Sequence, residues 1–261
     1  MTPPEPQATA RVVGQQGERL RLRGGGFDGY GVASGTLRAI AAETGEHVVV
    51  GDRVAIGETF DAGYDLPTVR IDAVLPRHGV LSRGAAGGRG AQVLAANVDV
   101  AAVVVAADAA RNRTRVHRYT VAARACGAEP LVVLSKVDLL PDAADIAAVV
   151  AELEADLPGV RVCAVSTMPP TADAPDASHH DGVQPLRQAL RPGETFVLLG
   201  PSGVGKSSLV NALLGHDAQR SGEVRQADAK GRHTTTAAVL FELPDGTALI
   251  DTPGLRELRL L

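Results

Sequence analysis

The sequence predicts a small all-β, OB-like barrel followed by an α/β domain wound around a mostly parallel sheet. Three observations predict it. From Ala10 to about Val80, short alternating runs are separated by Gly and Asp turns, the pattern of a small barrel of five or so strands. From Val98 onward, apolar runs that read as strands buried on both faces alternate with helical stretches, the pattern of βαβ units. Between Thr195 and Gly215 a short apolar strand, a glycine-rich turn and an amphipathic helix follow directly on one another.

The 261 residues can hold one large or two modest domains. The expected division is a Pro-rich, disordered start over 1–9, the barrel over 10–83, a flexible Gly/Ala linker over 84–94 and the α/β domain over 95–261. Hydrophobic residues are 45% of the chain but aromatics only 3%, with no Trp, so the core must be built from Ala, Val and Leu. A net charge of -4 excludes nucleic-acid binding by bulk charge; any such surface must be local. The first residues have neither a basic start nor an apolar run. No stretch approaches the roughly 20 apolar residues of a membrane span. A soluble, cytoplasmic monomer with no membrane association is expected. Cys126 and Cys163 have no close-spaced metal partners and read as buried small hydrophobes.

In the barrel, strands are expected at Arg19–Arg23, Tyr30–Val32, His47–Val50 and Val69–Ile71. Strand alternation puts Arg19, Arg21 and Arg23 on one face and Leu20 and Leu22 on the other. The arginines are candidate contacts for a nucleic-acid backbone or simply a solvated outer face. Phe27, Tyr30 and Tyr64 could stack bases, with core packing the plainer reading. In the second domain, strands are expected at Val98–Ala106, Pro130–Leu134, Val160–Val165 and Thr195–Leu199, with a hairpin from Ala237–Leu243 to Thr247–Ile250. Helices are expected at Thr114–Cys126, from an Asp142 cap to Leu157, at Val183–Leu190 and at Ser207–Leu214. Thr167–Asp181 reads as a loop.

Three motifs carry chemistry. Gly200-Pro201-Ser202-Gly203-Val204-Gly205-Lys206-Ser207-Ser208 fits the phosphate-binding pattern G-x-x-x-x-G-K-[ST]. Its backbone N–H groups and the following helix start point at one phosphate chain. Lys206 is one of three lysines among 26 basic residues; a compact ammonium suits a site between phosphates. Ser135-Lys136-Val137-Asp138 resembles the guanine-reading N-K-x-D of GTPases, with Ser in place of Asn, which points to weaker nucleotide affinity. A carboxylate at Asp138 accepts from the guanine ring N–H and exocyclic amine, which adenine does not offer. Val165-Ser166 resembles the S-A-x base contact, with Thr167 where Ala is usual. Asp251-Thr252-Pro253-Gly254 fits D-x-x-G: the Asp reaches Mg²⁺ through water and the Gly254 N–H senses the γ-phosphate. Ser207 supplies a metal oxygen, and Thr235 or Thr236 a second; spacing does not decide between them.

The order of these motifs is permuted. Ordinary GTPases read phosphate loop, switch Thr, D-x-x-G, N-K-x-D and S-A-x; here the last two come first. The α/β part is thus expected to be a circularly permuted P-loop GTPase domain, joined through Arg191-Pro192-Gly193. With the barrel in front, the chain resembles the ribosome small-subunit-dependent GTPase A (RsgA) family. The resemblance includes Gly51–Val54, Ala96–Asp99, Ser208–Asn211, Gly231–Thr236 and Leu255–Glu257.

The resemblance implies GTP and GDP as ligands and the small ribosomal subunit with its RNA as partner. It also implies subunit-stimulated hydrolysis late in subunit assembly. Leu255 stands where many GTPases carry a water-orienting Gln, so intrinsic hydrolysis should be slow. His233 is the family's candidate catalytic group, a residue type that titrates near neutrality. The family also implies a C-terminal domain holding Zn²⁺ through three Cys and one His; those ligands are absent from this chain, which is expected to be a fragment or a truncated copy. Two other readings stay open: a non-hydrolysing, nucleotide-dependent RNA-binding module, and an ATP-using phosphotransferase, against which Ser135–Asp138 argues.

Overall fold

The computed structural model describes residues 8–84, 91–110, 112–168, 182–215 and 238–252. Five strands, β1 (Thr9–Gln16), β2 (Arg19–Gly24), β3 (Phe27–Ala33), β4 (Arg53–Phe60) and β5 (Thr68–Val74), close a barrel in the order β1-β2-β3-β5-β4. β3 and β5 are parallel and the other pairs antiparallel. The β2 alternation holds: Leu20 and Leu22 are buried while the three arginines are half-exposed.

Two features of the barrel differ from the sequence reading. A helix, α1 (Gly35–Thr44), interrupts what reads as all-β. Its signals are a Ser34 side chain accepting from the Leu37 N–H at 3.3 Å and a left-handed Gly45 at its C-terminal end. The valines of His47–Val50 form no regular strand. There the buried Asp52 carboxylate accepts from the Val49 N–H at 2.8 Å, and Asp52 N–H bonds back to the Val49 carbonyl at 3.1 Å. A side-chain-stabilised turn thus overrides the β-branched composition.

Strand structure extends into the stretch expected as a flexible linker. β6 (Leu81–Gly84) and β7 (Ala91–Ala95) pair antiparallel; Gly and Ala composition hid the Gln92–Leu94 alternation.

The α/β domain is a six-stranded sheet. Its strands are β8 (Val100–Ala106), β9 (Glu129–Ser135), β10 (Arg161–Ala164), β11 (Thr195–Leu199), β12 (Val239–Glu242) and β13 (Ala248–Asp251), in the order β10-β9-β8-β11-β13-β12. All pairs are parallel except the β12–β13 hairpin. The helices are α2 (Arg113–Ala125), α3 (Ala143–Asp156), α4 (Gln184–Ala189) and α5 (Lys206–Leu214). The Asp142 cap is realised, its carboxylate accepting from the Asp145 N–H at 2.9 Å. β8 is buried along its whole length, as a central parallel strand covered on both faces requires.

The barrel is fused to the sheet, not tethered to it. Val12, Leu22, Val54 and Ile71 of the barrel join Val197, Leu199, Leu240 and Ile250 of the sheet in one apolar cluster. Each such side chain contributes about 1.5–3 kcal/mol by its burial. Polar ties reinforce the seam. Arg11 donates from Nη2 to Thr195 Oγ1 at 2.7 Å. Asn97 donates from Nδ2 to the Gly51 carbonyl at 2.9 Å. Gly51 has φ +92°, and a Cβ there would collide with the Ala96 carbonyl oxygen, so only glycine permits this approach. Asp52, fully buried, takes a two-pronged salt bridge from Arg77, Nε to Oδ1 and Nη2 to Oδ2, both 2.8 Å. This contact holds the Arg77 guanidinium above its ordinary pKa.

Candidate functional site

Because the strands are parallel, the carboxyl ends of β8, β9, β10, β11 and β13 lie along one edge of the sheet, the edge where such folds bind ligands. Ser135, Ser166, Gly200 and Asp251, scattered along the chain, are gathered there by topology alone. The loop between β11 and α5 runs Gly200 to Gly205. Gly200 has φ +143°, and a Cβ would lie 2.5 Å from the Val104 carbonyl oxygen. The loop therefore packs against β8 as only glycine allows. Val204 and Leu209 are buried anchors on either side of the turn. Ser202, Ser207 and Ser208 are exposed, and Pro201 and Lys206 half-exposed. Lys206 Nζ donates to the Gly200 and Pro201 carbonyls, each at 2.6 Å, which holds the ammonium over the loop.

The Ser135–Asp138 segment is locked to this loop. Ser135 is buried. Its Oγ lies 2.7 Å from the Val204 carbonyl and 3.2 Å from that of Val105. A hydroxyl has one proton to donate, and the shorter distance assigns it to Val204. The serine that departs from the N-K-x-D pattern thus still bridges base-side motif and phosphate loop. Lys136 takes φ +57°, a left-handed backbone costly for a side-chain-bearing residue. It turns the chain sharply into a single 3₁₀ turn, Val137–Leu139. Val137 is buried beneath, while Lys136 and Asp138 stay half-exposed. Ser166, buried after β10, donates from Oγ to Asp138 Oδ1 at 2.5 Å and accepts from the Met168 N–H at 3.1 Å. It orients the carboxylate from the adjacent strand end.

Asp251 closes β13, exposed, with Thr252 buried behind it. His233, Thr235, Thr236 and Gly254 lie outside the described residues, as does most of the Thr167–Asp181 loop. Among the described residues no group of three or more His, Cys, Asp or Glu is placed to hold a metal, and no helix is long and apolar enough to cross a membrane. Burial pushes the Cys163 thiol up to about 12 and raises that of Cys126.

The three barrel arginines do not act alike. Arg21 pairs with Asp28 and donates to the Gly29 carbonyl at 2.8 Å. Arg23 lies 3.9 Å from Asp28 and 3.8 Å from Glu242 of β12, on the seam with the sheet. Arg19 lies over the rings of Tyr64 and Tyr30. Sequence reasoning missed the Arg11–Thr195 and Arg23–Glu242 ties. Neither residue type nor spacing marks them, since the partners are far apart in sequence.

Fold and site together define a class: a phosphate-loop nucleotide-binding domain of permuted strand order behind an OB-like barrel. Residues 74–261 match the model of a family described as RsgA GTPase, and the chain belongs to that family. It is 39% identical over 228 residues to the small ribosomal subunit biogenesis GTPase RsgA of Methanosarcina acetivorans, covering 87% of this chain and 56% of that protein. It is 44% identical over 215 residues to the protein of that name from Xylella fastidiosa strain M23, covering 82% and 58%. The chain thus spans somewhat over half the length of these relatives. In fold it is similar to the crystal structure of YjeQ from Thermotoga maritima (TM-score 0.64, 24% identity, 97% of this chain and 77% of that one). It is also similar to the crystal structure of YloQ, described as a circularly permuted GTPase (TM-score 0.60, 19% identity, 100% of this chain and 76% of that one).

Proposed function

We propose that this chain binds GTP and GDP with Mg²⁺, hydrolyses GTP, and acts in maturation of the small ribosomal subunit as a cytoplasmic monomer that contacts ribosomal RNA. The observation that carries the reading is the Ser135 bridge to Val204, which sets a guanine-reading segment beside a phosphate loop. The names of the relatives support the ribosomal role.

On this reading the Gly200–Gly205 backbone and the α5 N-terminus receive the phosphates. Lys206 exchanges its two carbonyl partners for phosphate oxygens. Asp138, oriented by Ser166, accepts from the guanine N–H groups, and the Lys136 stem lies along the base. Ser207, in the first turn of α5, and Asp251, at the end of β13, are hard oxygen donors and would fit Mg²⁺, with Thr235 or Thr236 as a third ligand. The ion supplies charge neutralisation at the phosphates. His233 assists the attacking water, and the Gly254 N–H senses the γ-phosphate. Arg19 and Arg21 face RNA, whereas Arg23 serves the interdomain seam.

The test is phosphate release from GTP and from ATP, with and without purified small subunits. Release from GTP should rise when subunits are added and should not occur from ATP. Turnover indifferent to subunits, or a preference for ATP, refutes the reading.

A further inference from the structure

The chain has seven aromatic residues, three Tyr and four Phe. Four of them, Phe27, Tyr30, Phe60 and Tyr64, fall on β3 and around the β4–β5 loop of the barrel. In so aromatic-poor a chain this cluster calls for a reason. Core packing explains only part of it: Tyr30 is 9% exposed, but Phe60 and Tyr64 are each 43% exposed.

The rings and arginines are arranged. Tyr30 lies opposite Arg21 in the β2–β3 ladder, so both project from the outer face of the barrel. Tyr64, from the β4–β5 loop, meets Tyr30 edge-on, with centroids 5.9 Å apart and planes at 70°. The Arg19 guanidinium sits 4.0 Å from the Tyr64 centroid and 5.3 Å from that of Tyr30. Arg21 approaches Tyr30 to 5.7 Å, but its charge is already offset by Asp28. Arg19 differs: among the described residues its side chain makes no hydrogen bond or ion pair, only ring contacts. Its guanidinium donors are thus available to an incoming phosphate. A half-exposed ring with a cation beside it is the unit by which single-stranded nucleic acid is held. The β2–β3 face and the β1–β2 and β4–β5 loops are where OB barrels bind oligonucleotides. Arg19 opens β2 directly after the first loop, and Tyr64 lies in the second.

We propose that Tyr64 and Arg19, with Tyr30 as floor, form a stacking site for one unpaired base of a single-stranded nucleic acid. Tyr64 takes the base on its exposed face and Arg19 pairs the adjoining phosphate. The proposal rests on the reading of the barrel as an RNA-contacting unit.

The chain lacks Trp, so Tyr64→Trp introduces a single fluorescent reporter at the site. Titration of the full chain with an unstructured oligouridylate should quench that tryptophan; a double-stranded RNA of equal length should not. In anisotropy with the same labelled oligonucleotide, Tyr64→Ala should weaken binding roughly tenfold or more, as loss of one stacked base does. Tyr64→Phe should stay within about twofold of the unchanged protein, because the ring face is kept. Tyr64→Ala should leave the salt dependence intact, whereas Arg19→Ala should lower its slope by about one phosphate contact. Equal affinity of Tyr64→Ala and the unchanged protein overturns the stacking site while sparing the RNA reading of the barrel. Binding of the double strand alone also overturns it. No RNA binding by the unchanged protein overturns both. A Tyr64→Ala variant with a circular dichroism spectrum unlike the unchanged protein's leaves the Tyr64→Trp quenching to decide.

Discussion

Ser135 shows how much one side chain can join. Its hydroxyl spans from the end of β9 to the Val204 carbonyl in the phosphate loop, so Ser135→Ala should loosen base reading and phosphate binding together. One buried hydrogen bond is worth about 0.5–1.5 kcal/mol. The affinity for a fluorescent GDP should therefore fall several-fold, and calorimetric titration measures it. A second prediction concerns Cys163, whose thiol burial pushes up to about 12. The folded protein keeps its proton where the unfolded chain, near the ordinary value of about 9, has released it. This group therefore leaves stability untouched below that value and lowers it as pH rises from there toward 12. Urea unfolding at neutral and alkaline pH reads the effect. Because the thiolate is the reactive form, native Cys163 should also resist alkylation at neutral pH and react once the chain is unfolded.

At the scale of elements, the phosphate loop is the part where backbone freedom matters most. Gly200→Ala places a methyl against the Val104 carbonyl at a φ of +143°. It should cost about 1–3 kcal/mol of stability and abolish nucleotide binding, seen as a lowered melting temperature that GDP no longer raises. Most of the elements are legible in the sequence because each satisfies a local rule. β8 is an unbroken apolar run, α3 begins at an Asp cap, and the phosphate loop is spelled by its glycines. What escapes is decided by tertiary contact. α1 buries no residue completely and so has a weak apolar stripe beside its cap signals. His47–Val50 has strand composition, but the Asp52 carboxylate captures its backbone. The candidate site is legible in its residue types, at Ser135, Asp138, Ser166 and Lys206. The bonds that order them are not legible, because each links strand ends brought together only by the parallel sheet.

Across the whole molecule, barrel and nucleotide domain share an apolar cluster, and Arg11 crosses the seam to Thr195 at the root of the strand that leads into the phosphate loop. Burial, then the neighbouring Arg53, lowers the Arg11 pKa, so this charge is held in place at a cost. Arg11→Ala leaves Thr195 Oγ1 without that donor and should destabilise by about 1–3 kcal/mol. The two domains should still melt in one transition, followed by the fluorescence of a tryptophan placed at Tyr64, in a chain with no other Trp, for the barrel and by release of fluorescent GDP for the sheet; separate transitions would show that the seam does not couple them. The central claim is that the segment beside the phosphate loop reads guanine, and competition between GDP and ADP for the nucleotide site tests it most directly. GDP should bind at least about a hundredfold tighter than ADP, with Asp138→Ala collapsing the difference, since each lost bond to the base is worth roughly 1–3 kcal/mol. Equal affinity for GDP and ADP in the unchanged protein, or a preference that survives Asp138→Ala, would contradict the account.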